Sequence, residues 1–337
     1  MGRWFELEPR APGVTQGDVK TRLPILQDAD GQPAGPLERG KPSWLKIRAP
    51  GGPAYNTLKQ RARKLKLATV CEEARCPNIG ECWSIGTGTF MLMGDTCTRG
   101  CRFCAINTAK RPPALDPEEP NNVAEAVEAM GLSYVVLTSV NRDELPDGGA
   151  GHLADCLRAI KARCPDTLLE MLIPDFMGDR AALEKVVRAP LAVLAHNLET
   201  VKRLTPSVRD PRAAYQQSLD VLQWTKEMAP GMLTKTSLML GLGETEAEVE
   251  QAMLDCRAVG VDIITFGQYL RPTKKHLPVV EFVHPNTFDR YAERARALGF
   301  GYVASGPLVR SSYRAGELFI EKTLRNKGGV SPFQQPA

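Results

Sequence analysis

The chain has 337 residues, 43% hydrophobic and 24% charged, with a formal net charge of +4. This is the make-up of an ordinary globular protein. The basic excess is too slight for a nucleic-acid-binding face, and no apolar run approaches the roughly 20 residues of a membrane span, so neither nucleic acid nor membrane is an expected partner.

Residues 1–43 are polar and rich in glycine and proline, as in Pro33-Ala34-Gly35-Pro36, and read as an irregular arm. The first residues carry acids and no long apolar stretch. They fit neither a secretory signal nor an acid-poor transit peptide, and with nine cysteines in the chain the expected compartment is the reducing cytoplasm. Residues 54–68 carry a helical pattern that includes the basic run Lys59-Gln60-Arg61-Ala62-Arg63-Lys64-Leu65-Lys66. That run reads as a solvated helix face or as a docking surface for an acidic protein.

A β/α alternation follows. Strands are expected at Thr89–Met93, Tyr134–Ser139, Leu168–Ile173, Leu191–His196, Thr234–Leu240, Asp262–Gly267 and Tyr302–Ala304. They are short and apolar, as strands buried on both faces are. Helical patterns fall between them at 122–130, 150–163, 180–187, 213–228, 246–258 and 286–298. Such alternation predicts a parallel sheet, either doubly wound or of the TIM-barrel type.

Six of the nine cysteines crowd into residues 71–104. One set is Cys97-Thr98-Arg99-Gly100-Cys101-Arg102-Phe103-Cys104, a C-x3-C-x2-C run with an aromatic residue before its last cysteine. Three thiolates can hold three irons of a 4Fe–4S cube, whereas ferredoxin-type sites supply four cysteines. The fourth iron is then open to a ligand. A zinc site is the alternative, but zinc sites pair C-x2-4-C with a second Cys or His pair. No such pair lies downstream: His152, His196, Cys156, Cys164 and Cys256 are isolated in the sequence. The other set is Cys71, Cys76 and Cys82, spaced C-x4-C-x5-C, with Pro77 and Gly80 excluding a continuous helix. Two triplets suit two metal clusters better than three disulfides, which a reducing compartment disfavours.

The C-x3-C-x2-C run resembles that of the radical S-adenosylmethionine (SAM) enzymes. The string V-C-E-E-A-R-C-P-N-I-G-E-C-W, followed by that run and by Arg310-Ser311-Ser312-Tyr313, is similar to the lipoyl synthase family from about Trp44 to Tyr313. The resemblance implies a partial (β/α)6 TIM-type barrel at 87–305. Before it come the 1–43 arm and an extension at 44–86 with the auxiliary-cluster cysteines; after it comes an extension at 306–337 with the R-S-S-Y motif. It implies that Cys97, Cys101 and Cys104 hold the SAM-binding 4Fe–4S cluster. Cys71, Cys76, Cys82 and the Ser312 oxygen would hold an auxiliary 4Fe–4S cluster that gives up sulfur. From the residues alone Ser312 reads equally as a helix cap.

The implied activity is insertion of two sulfur atoms, at C6 and C8 of an octanoyl chain on a lysine of a lipoyl carrier domain, at two SAM per product. The implied carriers are the E2 subunits of 2-oxoacid dehydrogenases and the H protein of glycine cleavage. A low-potential donor such as flavodoxin or ferredoxin would supply electrons, and an iron–sulfur carrier protein would rebuild the cluster. The alternatives are a biotin synthase-like sulfurtransferase and an iron–sulfur electron-transfer protein.

Barrel active sites gather at the C-terminal ends of strands. That rule nominates Thr138 and Ser139 for the SAM amino group, Glu170 for its ribose, and Arg209 and Lys235 for its carboxylate. It also nominates Gly241 and Gly243 for close backbone approach, Phe103 for packing beside the cluster, and Asn197 with His196 for positioning the acyl chain's amide. The competing readings are a structural Glu170–Lys235 pair, a hydrogen-bonded core His196, and a plain turn at Gly241-Leu242-Gly243-Glu244 with Thr245 as helix cap.

Overall fold

Strands covered by helices on one side and closed over a barrel interior on the other have no wet face, so they hold apolar residues at nearly every position. The computed structural model, which describes residues 42–45, 68–69, 89–132 and 134–312, shows this. Seven strands form one parallel sheet in sequence order: β2 (Thr89–Leu92), β5 (Tyr134–Ser139), β6 (Leu168–Leu172), β7 (Val193–Ala195), β8 (Leu233–Leu240), β9 (Ile263–Gln268) and β10 (Tyr302–Gly306). A two-residue strand, β1 (Ala68–Thr69), pairs antiparallel at the β2 edge. Strand β10 ends the other edge, so the barrel is open, as expected of a partial one, and carries one parallel strand beyond six. The run after β2 adds a small pair, β3 (Thr96–Cys97) with β4 (Asn107–Thr108).

The connecting helices are α1 (Glu119–Met130), α2 (Ala150–Arg163), α3 (Arg180–Val187), α4 (Thr205–Val208), α5 (Tyr215–Met228), α6 (Glu246–Ala258) and α7 (Pro285–Ala297). Six of these match expected helices; the one-turn α4 was not expected. Strand β7 is shorter than its expected span because the chain leaves the sheet after Ala195, although His196 N–H still reaches the Lys235 carbonyl at 2.9 Å. The expected helix at 54–68, the arm 1–41 and the basic run lie outside the described residues, save that residue 68 begins β1.

Alternation sorts the strand side chains into two layers. Val135, Leu137, Leu169, Met171 and Leu194 face outward onto Val123, Leu153, Leu157, Ile160 and Leu183 of the helices. Tyr134, Val136, Val193, Leu233 and Ile263 form a smaller interior cluster near the strand starts. The interior is thus filled at its N-terminal end, and the polar groups described next collect at the C-terminal mouth.

Candidate active site

The cysteine loop leaves β2 through a tight reversal. Met93 has φ 67° and Gly94 φ 85°. The Met93 turn, in a region costly for a non-glycine residue, is held from both sides. Its N–H donates to the Glu119 carboxylate at 2.9 and 3.1 Å, and its carbonyl accepts from the Arg142 guanidinium at 3.1 Å.

Beyond this turn the three thiols are unpaired in disulfides and partly exposed. Each receives a backbone N–H. Cys97 Sγ accepts from Arg99 at 3.4 Å and Asn141 at 3.3 Å, Cys101 Sγ from Asp210 at 3.3 Å, and Cys104 from Ile106. Burial pushes the Cys101 thiol up, against the Asp210 N–H and the Arg209 charge, and pushes Cys104 up to about 12. Protons therefore stay on the Cys101 and Cys104 sulfurs until a metal displaces them. N–H donors on every sulfur are what an iron–thiolate cluster uses to spread its charge, so the triplet fits the group expected of it.

The residues between the cysteines are anchored by the loops that follow later strands. The Arg99 side chain, 2% exposed, forks onto Asp143 at 2.9 Å and onto Asp175 at 2.6 and 2.7 Å. Burial alone would lower its pKa, but the hydrogen bonds to Asp175 and Asp143 outweigh it and raise it. Gly100 N–H donates to Asp210 at 2.8 Å. Asp210 is held well below the usual carboxylate range, chiefly by the Arg212 guanidinium at 2.8 Å. Arg102 N–H reaches the Val208 carbonyl at 2.9 Å, and His276 Nε2 lies 2.9 Å from the Cys104 carbonyl.

Around this loop the mouth carries buried polar atoms with no partner among the described residues: Ser139 Oγ, Asn141 Oδ1, Asn197 Oδ1 and Arg209 Nε. Unpaired buried polar groups are costly, so a cluster of them at a barrel mouth is a candidate ligand site. Glu199 belongs with them. It sits at φ 68°, its carboxylate accepts from Asn197 Nδ2 at 3.1 Å, and burial raises its pKa against the pull of Arg209. Glu199 and Arg209 both act on the Cys101 thiol, the acid raising its pKa and the cation lowering it. The sequence reading passed over Glu199, although it stands two residues after Asn197 at the same strand end.

Other nominated residues are engaged elsewhere. Glu170 and Lys235 pair with each other at 2.7 Å, both buried, and Tyr134 Oη donates to Glu170 at 2.6 Å. Burial holds His196 down to about 4, with Arg209 pushing the same way, so it is neutral. Its Nδ1 lies 2.9 Å from the Ile173 carbonyl, which can only accept, so Nδ1 carries the proton and Nε2 accepts from Ser218 Oγ at 3.0 Å. Ser218 in turn accepts from Arg209 at 2.7 Å.

Gly241, at φ 98°, leaves room that Gln268 and the Glu281 carbonyl fill. Gly243, at φ 102°, gives its carbonyl to Arg203 at 2.8 Å. Thr245 caps α6 in a capping box with Glu248. Thr138 is buried on β5, and Phe103 is half-buried in the cysteine loop. Ser312 is half-buried in a turn. Cys71, Cys76 and Cys82 lie outside the described residues.

Comparison with known proteins shows the family. The family model of the radical SAM superfamily matches residues 91–256, and that of the N-terminal domain of lipoyl synthase matches 27–76. The chain is 59% identical over 290 residues to lipoyl synthase of Thermus thermophilus, covering 86% of this chain and 90% of that one. It is 56% identical over 304 residues to the mitochondrial lipoyl synthase of Caenorhabditis elegans, covering 86% of each. It is also 56% identical over 291 residues to the lipoyl synthase of Anaeromyxobacter dehalogenans, covering 86% of this chain and 99% of the other. In fold it is similar to Streptococcus suis SuiB bound to S-adenosylmethionine, with TM-score 0.51, 10% identity, and 73% of this chain and 55% of that chain covered. An open parallel barrel with an N–H-lined cysteine triplet at its mouth, matched at this identity over nearly the whole length of such relatives, makes this chain an enzyme of the lipoyl synthase family within the radical SAM superfamily, whose cofactors are SAM and two 4Fe–4S clusters.

Proposed function

We propose that Cys97, Cys101 and Cys104 hold the SAM-binding cluster and that the unpaired mouth groups hold SAM. Arg209 takes the SAM carboxylate, since Lys235 is neutralised by Glu170. Asn197 and Glu199 take the ribose hydroxyls in place of Glu170, and Ser139 and Asn141 take the amino group. The observation that carries this reading is the ring of buried, partnerless polar atoms beside three free thiols. Bound there, SAM and its cluster supply a hydrogen-abstracting radical, and the auxiliary cluster supplies sulfur. The chain's own work is to fix the cysteine loop, orient SAM and exclude water. His196, neutral and fixed at both ring nitrogens, holds Arg209 through Ser218.

Cys71, Cys76, Cys82 and Ser312 hold the auxiliary cluster in this reading. Support comes from the match of the lipoyl synthase N-terminal model to 27–76, which spans the first two of these cysteines. The domain plan follows as an arm 1–43, a cluster-bearing extension 44–86, the barrel 87–305 and a C-terminal extension 306–337. The substrate is the octanoyl chain of a lipoyl carrier domain, thiolated at C6 and C8, and a low-potential carrier supplies the electrons. Among the described residues no helix is long and apolar enough to cross a membrane, and we place the enzyme in a reducing compartment, which its free thiols require.

The test is anaerobic reconstitution with an octanoylated lipoyl domain. Replacing Cys97, Cys101 and Cys104 by Ala removes one cluster and all SAM cleavage. Replacing Cys71, Cys76 and Cys82 removes the other cluster and all sulfur insertion while leaving 5′-deoxyadenosine formation. Thiolated product from the second variant would refute the division of labour.

A further inference from the structure

Helix α2 carries His152 and Cys156 one turn apart, on the same face. In the sequence both stand apart from the cysteine triplets; the helix makes them neighbours of each other. Glu119, the first residue of α1, meets them from the adjoining helix. Its carboxylate lies 2.6 Å from His152 Nε2, and the two side chains are only 11% and 12% exposed. The Cys156 thiol is fully buried, and one ligand atom from each of the three residues falls within 4.8 Å of the other two. A His–Glu ion pair accounts for two of these groups. It does not account for the thiol, which burial and the nearby Glu119 charge both push up. A zinc ion accounts for all three. Tetrahedral bonds of zinc to O, N and S place the ligand atoms about 3.3–3.6 Å apart, so side-chain shifts of about 1 Å suffice. Thiolate and imidazole together favour zinc over magnesium or calcium, which take oxygen ligands. One thiolate and one carboxylate balance the two charges of the ion, as a buried site requires. Ligating carboxylates carry hydrogen bonds of their own, and Glu119 has that bond in place, from Met93 N–H at 2.9 Å. A cleft of about 150 Å³, lined by Glu119 with Asp95, Asp116 and Asn122, opens beside the carboxylate and leaves room for a water as fourth ligand.

We propose that Glu119, His152 and Cys156 form a further metal site, distinct from the two clusters, which takes one zinc ion with a water in the fourth position. On binding, the ion takes the place of the proton between His152 and Glu119 and of the Cys156 thiol proton. Both protons pass to solvent and no electron moves. The ion ties α1 to α2 and, through Glu119, to the Met93 reversal at which the cysteine loop begins. None of the three residues belongs to the groups assigned above to SAM or to either cluster.

The experiment uses the full-length enzyme with both clusters loaded, as wild type, as Cys156→Ala and as His152→Gln. Each is equilibrated anaerobically with a small excess of zinc chloride and desalted, and zinc is counted beside iron. X-ray absorption at the zinc edge then reads the ligands, because the cluster irons do not contribute there. The wild type is expected to keep about one zinc per chain with its iron unchanged, and the edge spectrum should show one sulfur at about 2.3 Å with nitrogen and oxygen completing the set. Cys156→Ala should lose that sulfur and weaken zinc binding by about a hundredfold or more, at or beyond the upper end of what loss of an outer-shell partner costs. His152→Gln should weaken it likewise. Zinc should raise the unfolding midpoint of the wild type and leave that of Cys156→Ala where it stands under chelator. If a variant fails to fold, the wild-type edge spectrum decides alone. A wild type that keeps no zinc would overturn the proposal and leave Glu119 and His152 an ion pair beside a buried thiol. So would zinc bound by two or more sulfurs, which would place it on a cysteine triplet, or equal zinc in folded Cys156→Ala.

Discussion

Arg99, in the middle of the cysteine loop, is bound at 2.6 Å by Asp175, a residue 76 positions further along the chain. The pair is almost wholly buried, and Asp143 completes the guanidinium's coordination.

Removing the guanidinium leaves the buried Asp175 without its cation and Asp143 with only the partly exposed Arg212, at 3.1 Å. Breaking a buried charge network from one side typically costs about 3–5 kcal/mol, so Arg99→Ala should lower the anaerobic unfolding midpoint by many degrees and reduce iron bound at Cys97, Cys101 and Cys104. Arg99→Lys keeps the charge but not the fork, and it should restore part of the stability with little of the iron. Thermal unfolding read beside iron content checks both. Full iron loading in Arg99→Ala would show that the loop needs no such anchor.

Acid should loosen the same region. Burial opposes ionisation of Asp175, but hydrogen bonding to Arg99 holds its pKa below the ordinary value, and Asp210 is depressed by Arg212. A carboxyl whose folded pKa lies below its unfolded value of about 3.9 contributes its full stabilisation above that pH and loses it as pH falls through the folded value. Stability of the wild type should therefore drop on acidification below about pH 4. Asp175→Asn, already weakened at pH 7, should show a shallower decline. Chemical unfolding at a series of pH values provides the comparison.

Glu199 has the opposite sign. Burial raises its folded pKa, so its contribution is intact at low pH and is lost as pH rises through that value. Glu199→Gln should make the metal-free protein more stable than wild type at pH 8 and equal to it near pH 4. If Glu199 holds SAM, the variant should also raise the KM for SAM by about tenfold, the worth of one hydrogen bond to a charged group. Greater stability with an unchanged KM would leave Glu199 as a strained residue with no part in SAM binding.

At the other end of the barrel chain, Gly267 on β9 has no room for a side chain, because a Cβ there would overlap the Val309 carbonyl. The segment leading to Ser312 thus lies directly on the strand. Gly267→Ala should push that segment off at a cost of about 1–3 kcal/mol. It should lower sulfur insertion while SAM cleavage continues. Ser312→Cys should keep the auxiliary cluster but slow sulfur transfer, since thiolate holds iron more tightly than a serine oxygen. Counting 5′-deoxyadenosine and thiolated product in single turnovers separates these effects. Wild-type product yield from Ser312→Cys would rule out a labile ligand.

The strands were legible because burial on both faces writes an uninterrupted apolar run, and each expected strand lies within a few residues of the observed one. The cluster triplet was legible because metal ligation fixes spacing along the chain. The side chains that anchor it were not. Arg99 occupies a position that the motif leaves free, and its partners are 44 and 76 residues away. Glu170 and Lys235 stood out as charges inside apolar strands, and a pair between them was one of the two readings; the sheet that brings β6 and β8 within reach decides for the pair. Glu199 owes its place to a left-handed backbone turn, which a glutamate does not announce.

The loop that carries Cys97, Cys101 and Cys104 takes its shape from residues that the ribosome has yet to make. Its bonds run forward to Asn141, Asp175, Asp210 and finally His276, 172 residues beyond Cys104. Contacts at such separation form late, after the chain has paid the entropy of closing the intervening loops. The native shape of the triplet therefore depends on the sheet as far as β9, and it reports the assembly of most of the barrel rather than of its own segment.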